Sequence, residues 1–446
     1  MERSERSVAV VGAGPAGLAA AWRLLGSGVG VRVYEATSRV GGRLRTEHVS
    51  GVAADAAVQL LSSGYTETRR LIGALGQGGR LVEVAGRDAL WRGGRPHPVR
   101  YGSLTSMVGS GALPMRLKLR MGVRYVPFLE RHGRELDLNE PLRAARAGLD
   151  GASIAEWGAE HVGRDFVELL VYPLLAAYYG VTPEETGAGF FHALAKAGMH
   201  VDLLGVRGGL GELAESMAVG LEREGVELHR GRAVRRVWAD ASGARVATDR
   251  GEWSHDGVVV AVPPGAVAGL LPGLSLPLPA TRSSATLVLA TRTRLRTGWF
   301  GLSIPRAERE GRVLSAVCVQ EEKGASLADG PGGSLVLIPA PEVGERWAVS
   351  EAEAVLAEAL PALEAVLPGA RSRVVEGRLV RLEHGVWVPA PGHFERVAAL
   401  RSDPATGTAP LPPRLALAGD YLVAPTVEGA VRSGLEAADR ITAAAS

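Results

Sequence analysis

Residues 8–17 read Val-Ala-Val-Val-Gly-Ala-Gly-Pro-Ala-Gly, and residues 31–35 read Val-Arg-Val-Tyr-Glu. The continuous apolar run before Gly12 is typical of a strand that is buried on both faces of a parallel sheet. Gly12 permits a tight turn, Gly14 lets the backbone approach a pyrophosphate, and Gly17 lets a helix pack closely on the strand. The order of strand, glycines, helix and second strand predicts a dinucleotide-binding fold.

The residues around this glycine loop carry the rest of the prediction. Pro15 and Ala16 open a helix whose first amides and dipole would face the phosphates. Glu35 follows Gly17 by 18 residues, where a carboxylate can accept hydrogen bonds from a ribose diol. A glycine-rich turn without a ligand is the alternative interpretation, and the full context of the motif argues against it.

The residues after Glu35 indicate which dinucleotide is bound. Glu35-Ala36 is followed by Arg39-Val-Gly-Gly42-Arg43, and this pattern resembles the FAD site of the flavin amine oxidase superfamily. That superfamily includes monoamine and polyamine oxidases, protoporphyrinogen oxidases and carotenoid desaturases. The resemblance implies FAD, with Ala36 and Gly42 in the cofactor site. Arg39 and Arg43 would add positive charge beside the pyrophosphate, and surface solvation is the alternative for both arginines.

Two later segments extend the resemblance to the C-terminus. The Val234 position would contact adenine through its backbone, which is compatible with ordinary core packing. Gly419-Asp420 ends a strand that begins at Arg414, and Asp420 would bind a ribityl hydroxyl or, through water, a phosphate. The helix that starts near Val427 would direct its amides at the flavin pyrimidine carbonyl. An ordinary capped helix is the alternative there.

The fold class expected from these motifs is α/β (α+β): a Rossmann-like FAD-binding domain of discontinuous segments, joined to a mixed helical and sheet substrate domain. The expected boundaries divide the chain into five consecutive parts. They are residues 1–83 (FAD-binding, first segment), 84–205 (helical part of the substrate domain), 206–267 (FAD-binding, second segment), 268–400 (sheet part of the substrate domain) and 401–446 (FAD-binding, C-terminal segment).

Composition narrows the functional class. A net charge of +2 over 446 residues gives no reason to expect a nucleic-acid partner. Cys318 is the single cysteine, so no intrachain disulfide can form. The histidines show no metal-ligand spacing. The N-terminus passes straight into the first strand, and no apolar run is long enough to cross a membrane. These features predict a cytoplasmic enzyme without a metal site.

Several local structures are also expected. Leu90-Trp-Arg-Gly-Gly-Arg-Pro-His-Pro resembles a hairpin, and Ser153 with Glu156 has the spacing of a capping box. Cys318 is expected to pack as a small hydrophobe in a strand. A helix over 350–360 should end or kink at Pro361. The prolines between Leu382 and Arg396 should preclude a long regular element.

The residues that are missing indicate a branch of the superfamily. Amine oxidases usually carry a lysine near the flavin N5, but here the aligned neighbourhood is Ser284-Ala-Thr286, with no lysine between Lys196 and Lys323. An aromatic residue that often belongs to the amine cage is replaced by Thr426. Trp91-Arg-Gly-Gly-Arg-Pro-His-Pro and Pro391-Gly-His-Phe-Glu-Arg resemble protoporphyrinogen oxidases, whereas Gly419-Asp420 resembles carotenoid desaturases.

The resemblance therefore implies an FAD-dependent dehydrogenation. The substrate would be an apolar or cyclic small molecule that gives a hydride from a C–H bond to flavin N5, and dioxygen or a quinone would reoxidise the flavin. No catalytic base can be named. Trp387, Thr286 and Tyr172 are candidate pocket residues, although residues of these types in such positions are more often part of the core. The open alternatives are an amine oxidase of secondary metabolism and a flavin-binding mutase or non-redox scaffold.

One segment suggests peripheral membrane contact. Between residues 101 and 127, the apolar residues Leu117, Leu119, Met121 and Val123 alternate with Arg116, Lys118 and Arg120. In the resembling enzymes the corresponding region can meet the membrane, where apolar residues enter the interface and cations meet anionic headgroups. A helix or strand that packs on its own domain is the alternative.

Overall fold

A computed structural model describes residues 6–84, 87–140, 142–199, 201–308, 313–324, 331–398, 400 and 411–445. Its strands, in chain order, are β1 Ser7–Val11, β2 Gly30–Tyr34, β3 Thr46–Val49, β4 Val52–Asp55, β5 Leu61–Ser62, β6 Leu81–Glu83, β7 Arg87–Arg92, β8 Arg95–Val99, β9 Leu203–Val206, β10 Glu227–His229, β11 Val234–Ala239, β12 Ala244–Thr248, β13 Gly251–His255, β14 Gly257–Val260, β15 Thr281–Thr291, β16 Trp299–Ser303, β17 Leu314–Val319, β18 Gly333–Pro339, β19 Val374–Trp387 and β20 Leu415–Leu417.

The α-helices, in the same order, are α1 Pro15–Leu25, α2 Thr66–Ala74, α3 Leu104–Gly109, α4 Met115–Arg120, α5 Val126–Arg131, α6 Leu142–Arg146, α7 Ile154–His161, α8 Arg164–Phe166, α9 Tyr172–Tyr179, α10 Ala188–Ala197, α11 Leu210–Arg223, α12 Pro264–Leu270, α13 Pro341–Val349, α14 Ala352–Val366, α15 His393–Ala398 and α16 Val427–Ala445. π-helical turns at Met121–Tyr125 and Val167–Val171 join α4 to α5 and α8 to α9.

A five-stranded parallel sheet contains the strand before the glycine loop, in the order β10-β2-β1-β14-β20. Its strands come from three separated stretches of the chain, as the glycine motif and the later apolar runs predict. The interior of β1 and β14 is fully buried, because helices α1 and α16 cover one face of the sheet and the β11–β12–β13 sheet packs on the other. Helices α1 and α16 cross on one face of this sheet, where a Cβ at Gly434 would collide with the carbonyl oxygen of Ala16.

A second, larger sheet has seven strands in the order β19-β15-β18-β17-β16-β7-β8. The hairpin expected at Leu90 is confirmed as β7 and β8, and it extends this sheet beside the strands of residues 281–387. One face packs on α13 and α14 around Trp347. The opposite face carries Val288, Phe300 and Cys318 and packs against the β3–β4 hairpin. Cys318 is buried there as the small hydrophobe that its strand predicted.

The helical part between residues 104 and 197 packs around Tyr125, Phe166 and Phe190. The capping box at its α7 start is confirmed: Ser153 Oγ accepts from the Glu156 amide, and the Glu156 carboxylate accepts from the Ser153 amide. In the described residues no helix combines the length and the apolar character that a bilayer crossing requires.

Two local expectations are corrected in part. Helix α14 continues to Val366 and does not end at Pro361, because the proline lies on an exposed face where water can satisfy the freed carbonyl. The segment from Leu382 to Trp387 is not irregular, since it completes the 14-residue strand β19. The prolines that were expected to break it lie beyond Trp387, so they end the strand instead.

Candidate active site

The glycine loop after β1 has the geometry that its sequence predicts. Gly12 adopts φ +102°, and a Cβ there would lie 2.5 Å from the carbonyl oxygen of Ala261. A Cβ at Gly17 would collide with the Gly12 carbonyl oxygen. A larger residue at Gly17 would separate helix α1 from the loop after β1, and one at Gly12 would displace the chain that follows β14.

Helix α1 begins at Pro15, with Gly14 as its N-cap and no side chain bonded to that cap. A Cβ at Gly14 would meet no described heavy atom within 4 Å, and Gly42 approaches from the facing loop. That loop is fixed by a hydrogen bond of 2.8 Å from the Gly41 amide to the Ala13 carbonyl. The helix N-terminus is therefore left open for an anion, as a pyrophosphate requires.

Glu35 lies directly after β2 and holds this loop together. Its Oε2 accepts from the Ala13 amide at 2.9 Å, and its Oε1 accepts from the amide and hydroxyl of Thr37, also at 2.9 Å. The Arg232 amide bonds the Glu35 carbonyl at 2.7 Å, so Val234, the first residue of β11, lies close to the same strand end. Ala36 is exposed beside it.

The two predicted arginines have different partners. Arg39 donates to Glu47 Oε1 at 2.8 Å, and Arg45 binds the same oxygen at 2.5 Å. Arg43 donates instead to Asp420 Oδ1 at 2.6 Å. The structure thus brings Arg43 and Asp420 together from opposite ends of the chain and attaches Arg39 to a separate acidic side chain.

Asp420 also accepts from Trp387 Nε1 at 3.0 Å through its second oxygen. The neighbouring Gly419 donates its amide to Ser433 Oγ in α16 at 2.9 Å. Trp387 is 3% exposed, so its contribution in the described structure is to position the Asp420 carboxylate. Trp387, which was predicted to line the pocket, is therefore hydrogen-bonded to Asp420, which was predicted to bind the cofactor.

Helix α16 begins at Val427, as expected. Thr426 caps it, because its hydroxyl accepts from the Gly429 amide at 2.9 Å. The buried Glu428 accepts from the amides of Thr68 and Glu67 at 2.9 and 3.1 Å, and from Arg432 at 2.7 Å. Glu428 therefore ties the last helix to the start of α2, and its carboxylate is fully engaged.

These residues fit FAD on chemical grounds: an open helix N-terminus for the pyrophosphate, a carboxylate at the end of β2, and a part-buried Arg43–Asp420 pair next to the C-terminal helix. A flavin containing amine oxidoreductase family model matches residues 15–442. The chain belongs to this family. It is an FAD-dependent oxidoreductase, and FAD supplies the acceptor for the electrons of its substrate.

Individual relatives agree with this assignment. The chain is 26% identical to coproporphyrinogen III oxidase of Mycobacterium leprae over 462 residues, which cover 94% of each protein. It is 33% identical to a putative flavin-containing monoamine oxidase of Mycobacterium tuberculosis over 273 residues, and that alignment covers 58% of this chain and only 57% of the relative. A putative protoporphyrinogen oxidase from Exiguobacterium sp. 255-15 has the same fold, with a TM-score of 0.74 and 20% identity over 98% of this chain and 99% of that one.

The seven-stranded sheet contacts the β3–β4 hairpin and the residue after it through hydrogen bonds from β15 and β18. Thr286 Oγ1 donates to the Ala56 carbonyl at 2.6 Å, and Ser334 Oγ donates to the Ala53 carbonyl at 2.8 Å. Thr286 is buried, so the pocket candidate from the sequence serves as a contact between the sheet and the strand that ends at Asp55.

A fully buried ion pair lies beside this contact. Lys323 Nζ is 2.8 Å from Asp55 Oδ2, and the two side chains are 0% and 1% exposed. Asp55 Oδ1 accepts from Thr46 Oγ1 at 2.7 Å and from the Leu210 amide of α11 at 2.8 Å. The Lys323 ammonium also lies 5.4 Å from the centre of the Phe300 ring. A lysine thus approaches the FAD-binding segments from the end of β17, although β15 supplies none.

A second acidic group lies on the same sheet face, at β7. Asp88 Oδ1 accepts from Tyr178 Oη at 2.8 Å. Burial raises the Asp88 pKa to about 6, with the Tyr178 hydrogen bond opposing that shift. Tyr178 is 40% exposed, whereas the third pocket candidate, Tyr172, is only 1% exposed and stacks under Arg306. Tyr172 is therefore a core residue of α9.

The sequence analysis missed Asp88 and Lys323, the partner of Asp55. Neither Asp88 nor Lys323 belongs to a motif, and Lys323 is contributed by a 3₁₀ turn at Gln320–Lys323. One sequence signal for Asp88 was available: it precedes the apolar centre of the strand, Ala89–Trp91, and lies two residues before Leu90 on the same face. An acid on the apolar side of a strand needs a partner or a ligand.

Proposed function

We propose that this flavoenzyme dehydrogenates an apolar or cyclic small molecule, in the manner of porphyrinogen oxidases or desaturases. The observation that carries this proposal is the environment of Thr286. Its hydroxyl is committed to the Ala56 carbonyl at 2.6 Å, at the position of β15 where the resembling amine oxidases place a lysine. The similarity to coproporphyrinogen III oxidase over 94% of both chains supports the same branch.

The residues of the chain have distinct roles in this proposal. The glycine loop, Glu35 and Asp420 hold and orient the cofactor, with Arg43 fixing the Asp420 carboxylate. Ala36, Gly42, Val234 and the start of α16 complete the binding surface. The closely packed face of the seven-stranded sheet excludes water from the reacting carbon. The hydride therefore leaves the carbon where no water can protonate the hydride. Dioxygen or a quinone is the proposed electron acceptor.

The proposed domain division follows the same logic. The five-stranded parallel sheet draws on residues 1–83, 206–267 and 401–446, which we assign to the FAD-binding domain. We assign 84–205 and 268–400 to the substrate domain, with one adjustment: the β7–β8 hairpin belongs structurally to the sheet part.

An amine oxidase is the second candidate, favoured by the 33% identity to a putative monoamine oxidase over part of the chain. The two candidates differ in their response to a simple primary amine. Anaerobic benzylamine should leave the flavin of the holoprotein oxidised, because Thr286 and Thr426 cannot orient a small neutral amine. Rapid bleaching by benzylamine would place the chain among the amine oxidases.

We also propose reversible contact with an anionic membrane surface through α4, the π-helical turn and α5. The helix corrects the sequence expectation, since Leu117 and Met121 point into the core and are 1% and 6% exposed. Met115, Leu119 and Val123 lie on the outer side and are 74%, 66% and 66% exposed. Arg116, Lys118 and Arg120 lie on the same helix and are complementary in charge to anionic headgroups.

A further inference from the structure

A buried histidine lies in the segment 391–396, whose sequence resembles protoporphyrinogen oxidases. His393 is the first residue of α15 and is 1% exposed. Gly392 precedes it with φ +70°, a conformation that lets the chain reverse between β19 and α15. The Gly392 amide donates to the Asp150 carbonyl at 2.7 Å, and the Phe394 amide donates to Asp150 Oδ2 at 3.3 Å. The loop before α7 therefore fixes the backbone on both sides of His393.

The surroundings of His393 determine which of its ring nitrogens carries the proton. Burial lowers its pKa to about 4, so the ring is uncharged at neutral pH and has one N–H group. Nε2 lies 2.9 Å from the Tyr421 carbonyl oxygen, which can only accept a hydrogen bond. The proton is therefore on Nε2, and His393 donates to Tyr421.

His393 also packs on the tryptophan that binds Asp420. The ring centres of His393 and Trp387 are 4.8 Å apart, with an angle of 38° between the ring planes. Trp387 Nε1 donates to Asp420 Oδ2 at 3.0 Å. Two contacts thus connect His393 to Asp420: one passes through the Trp387 ring, and the other through the carbonyl of Tyr421, which follows Asp420 in the chain.

The Asp420 carboxylate keeps acceptor capacity for a ligand. A carboxylate has about four lone-pair sites, whereas Arg43 binds Oδ1 and Trp387 binds Oδ2 through one hydrogen bond each. Asp420 is 5% exposed, so its orientation decides whether the remaining lone pairs face a ligand or packed protein. The backbone is fixed on both sides of Asp420, by the bond from the Gly419 amide to Ser433 Oγ and by the bond from His393.

We propose that His393 is a positioning residue for FAD binding, which holds the Asp420 carboxylate in the orientation that accepts hydrogen bonds from the cofactor. This inference rests on the part of the proposed function that places Asp420 in the cofactor site. His393 acts through Tyr421 and Trp387 and does not touch the cofactor, because protein atoms cover its ring.

Variants of His393 that differ in the reach of their donor test this role. His393→Gln places an amide nitrogen near the position of Nε2, whereas His393→Asn is one methylene shorter and does not reach the Tyr421 carbonyl. His393→Asn should raise the Kd for FAD roughly tenfold, and His393→Gln should stay within about threefold of the unaltered protein. Dilution of the holoprotein measures Kd through the rise in fluorescence as FAD is released. If His393→Asn does not fold, His393→Phe replaces it, since it keeps a ring against Trp387 and lacks the donor.

His192→Asn is the matched control. His192 is also fully buried, burial lowers its pKa to about 3, and its ring centre lies 4.2 Å from that of Trp157. It is hydrogen-bonded to Tyr125 in the helical part, so its loss should lower the free energy of unfolding and leave the Kd for FAD unchanged. In an Asp420→Asn background, adding His393→Asn should raise Kd by less than about threefold, because the carboxylate that His393 orients is already absent.

An unchanged Kd in His393→Asn would overturn the positioning role. So would an equal rise in His192→Asn, a His393→Gln variant that binds FAD no better than His393→Asn, or an undiminished effect in the Asp420→Asn background. The two levels of the proposal fail separately. If Asp420→Asn alone leaves Kd unchanged, Asp420 does not belong to the cofactor site and both are wrong. If Asp420→Asn weakens FAD binding and the His393 variants do not, only the role of His393 is wrong.

Discussion

Glu35 shows how one residue connects the sequence motif to the cofactor. Both of its carboxylate oxygens accept from backbone amides, one in the glycine loop at Ala13 and one at Thr37. The carboxylate therefore fixes the loop and still has lone pairs that a ribose diol can use. The role assigned from the motif and the contacts in the structure are compatible.

Replacing Glu35 with alanine should weaken FAD binding. Loss of charge-assisted hydrogen bonds worth roughly 1.5–3 kcal/mol corresponds to about a tenfold to hundredfold rise in Kd. Flavin content after purification and titration of the apoprotein with FAD measure the effect. Arg39→Ala is the useful comparison, because that side chain is bound to Glu47. Full flavin occupancy and unchanged affinity in Glu35→Ala would remove Glu35 from the site.

Asp88 should make stability depend on pH in a defined direction. Its folded pKa of about 6 is above the unfolded value of 3.8, so the native state binds more protons between those values. Stability contributed by the protonated group is therefore lost as pH rises from about 4 to 6. The Asp88→Asn variant has no carboxyl group to ionise at this position. The difference in free energy of unfolding between this variant and the unaltered protein should therefore increase by roughly 1–3 kcal/mol, in favour of the variant, between about pH 4 and pH 8. Urea unfolding at fixed FAD concentration measures it, and a difference that is independent of pH would contradict the raised pKa.

At the scale of elements, hydrophobic periodicity and glycine positions predicted helices and strands correctly, whereas contacts between residues far apart in the sequence were not predicted. Strand β1, helix α1 and the capping box of α7 follow from local residue types, so the sequence predicted them correctly. Helix α14 passes through Pro361 because that residue is exposed, and exposure is a tertiary property. The Lys323–Asp55 pair joins residues 268 positions apart, which no local pattern can reveal.

The Lys323–Asp55 ion pair joins β4 to the turn after β17, and we expect it to contribute substantially to the free energy of unfolding. Lys323→Met leaves a buried carboxylate without its cation, which costs about 3–5 kcal/mol. Lys118→Met is the matched control, since it removes a lysine from the surface helix α4 and should change stability by less than about 0.5 kcal/mol. Adding Asp55→Asn to Lys323→Met should recover part of the loss. Equal unfolding free energies for Lys323→Met and the unaltered protein would show that the pair contributes nothing.

At the scale of the whole molecule, residues within motifs were more predictable than contacts between distant segments. Arg43 and Asp420 lie in motifs that resemble the FAD site of the family, and the structure brings their side chains together. Asp88, Tyr178 and Tyr101 come from a strand, a helix and a loop, and only the sheet order brings them together. Their proximity is a product of topology, so a single sequence does not disclose it.

The exposed residues of α4 and the following turn should make the protein bind anionic vesicles at low salt. Changing Leu119 and Val123 together to serine should abolish co-sedimentation, because these side chains would enter the interface. Changing Arg116, Lys118 and Arg120 to glutamine should weaken it. Val349→Ser is the control, since Val349 is 83% exposed on a different helix. Absence of binding by the unaltered protein at low salt would assign the helix a purely structural role.

Anaerobic titration of the oxidised holoprotein with coproporphyrinogen III and, separately, with a polyene tests the central claim most directly. The flavin absorbance is followed without added NAD(P)H, together with the appearance of the dehydrogenated product. We expect one of these compounds to bleach the flavin in proportion to the product formed, and readmitted dioxygen or an added quinone to restore the colour. A flavin that stays oxidised with both compounds would contradict the proposed dehydrogenation.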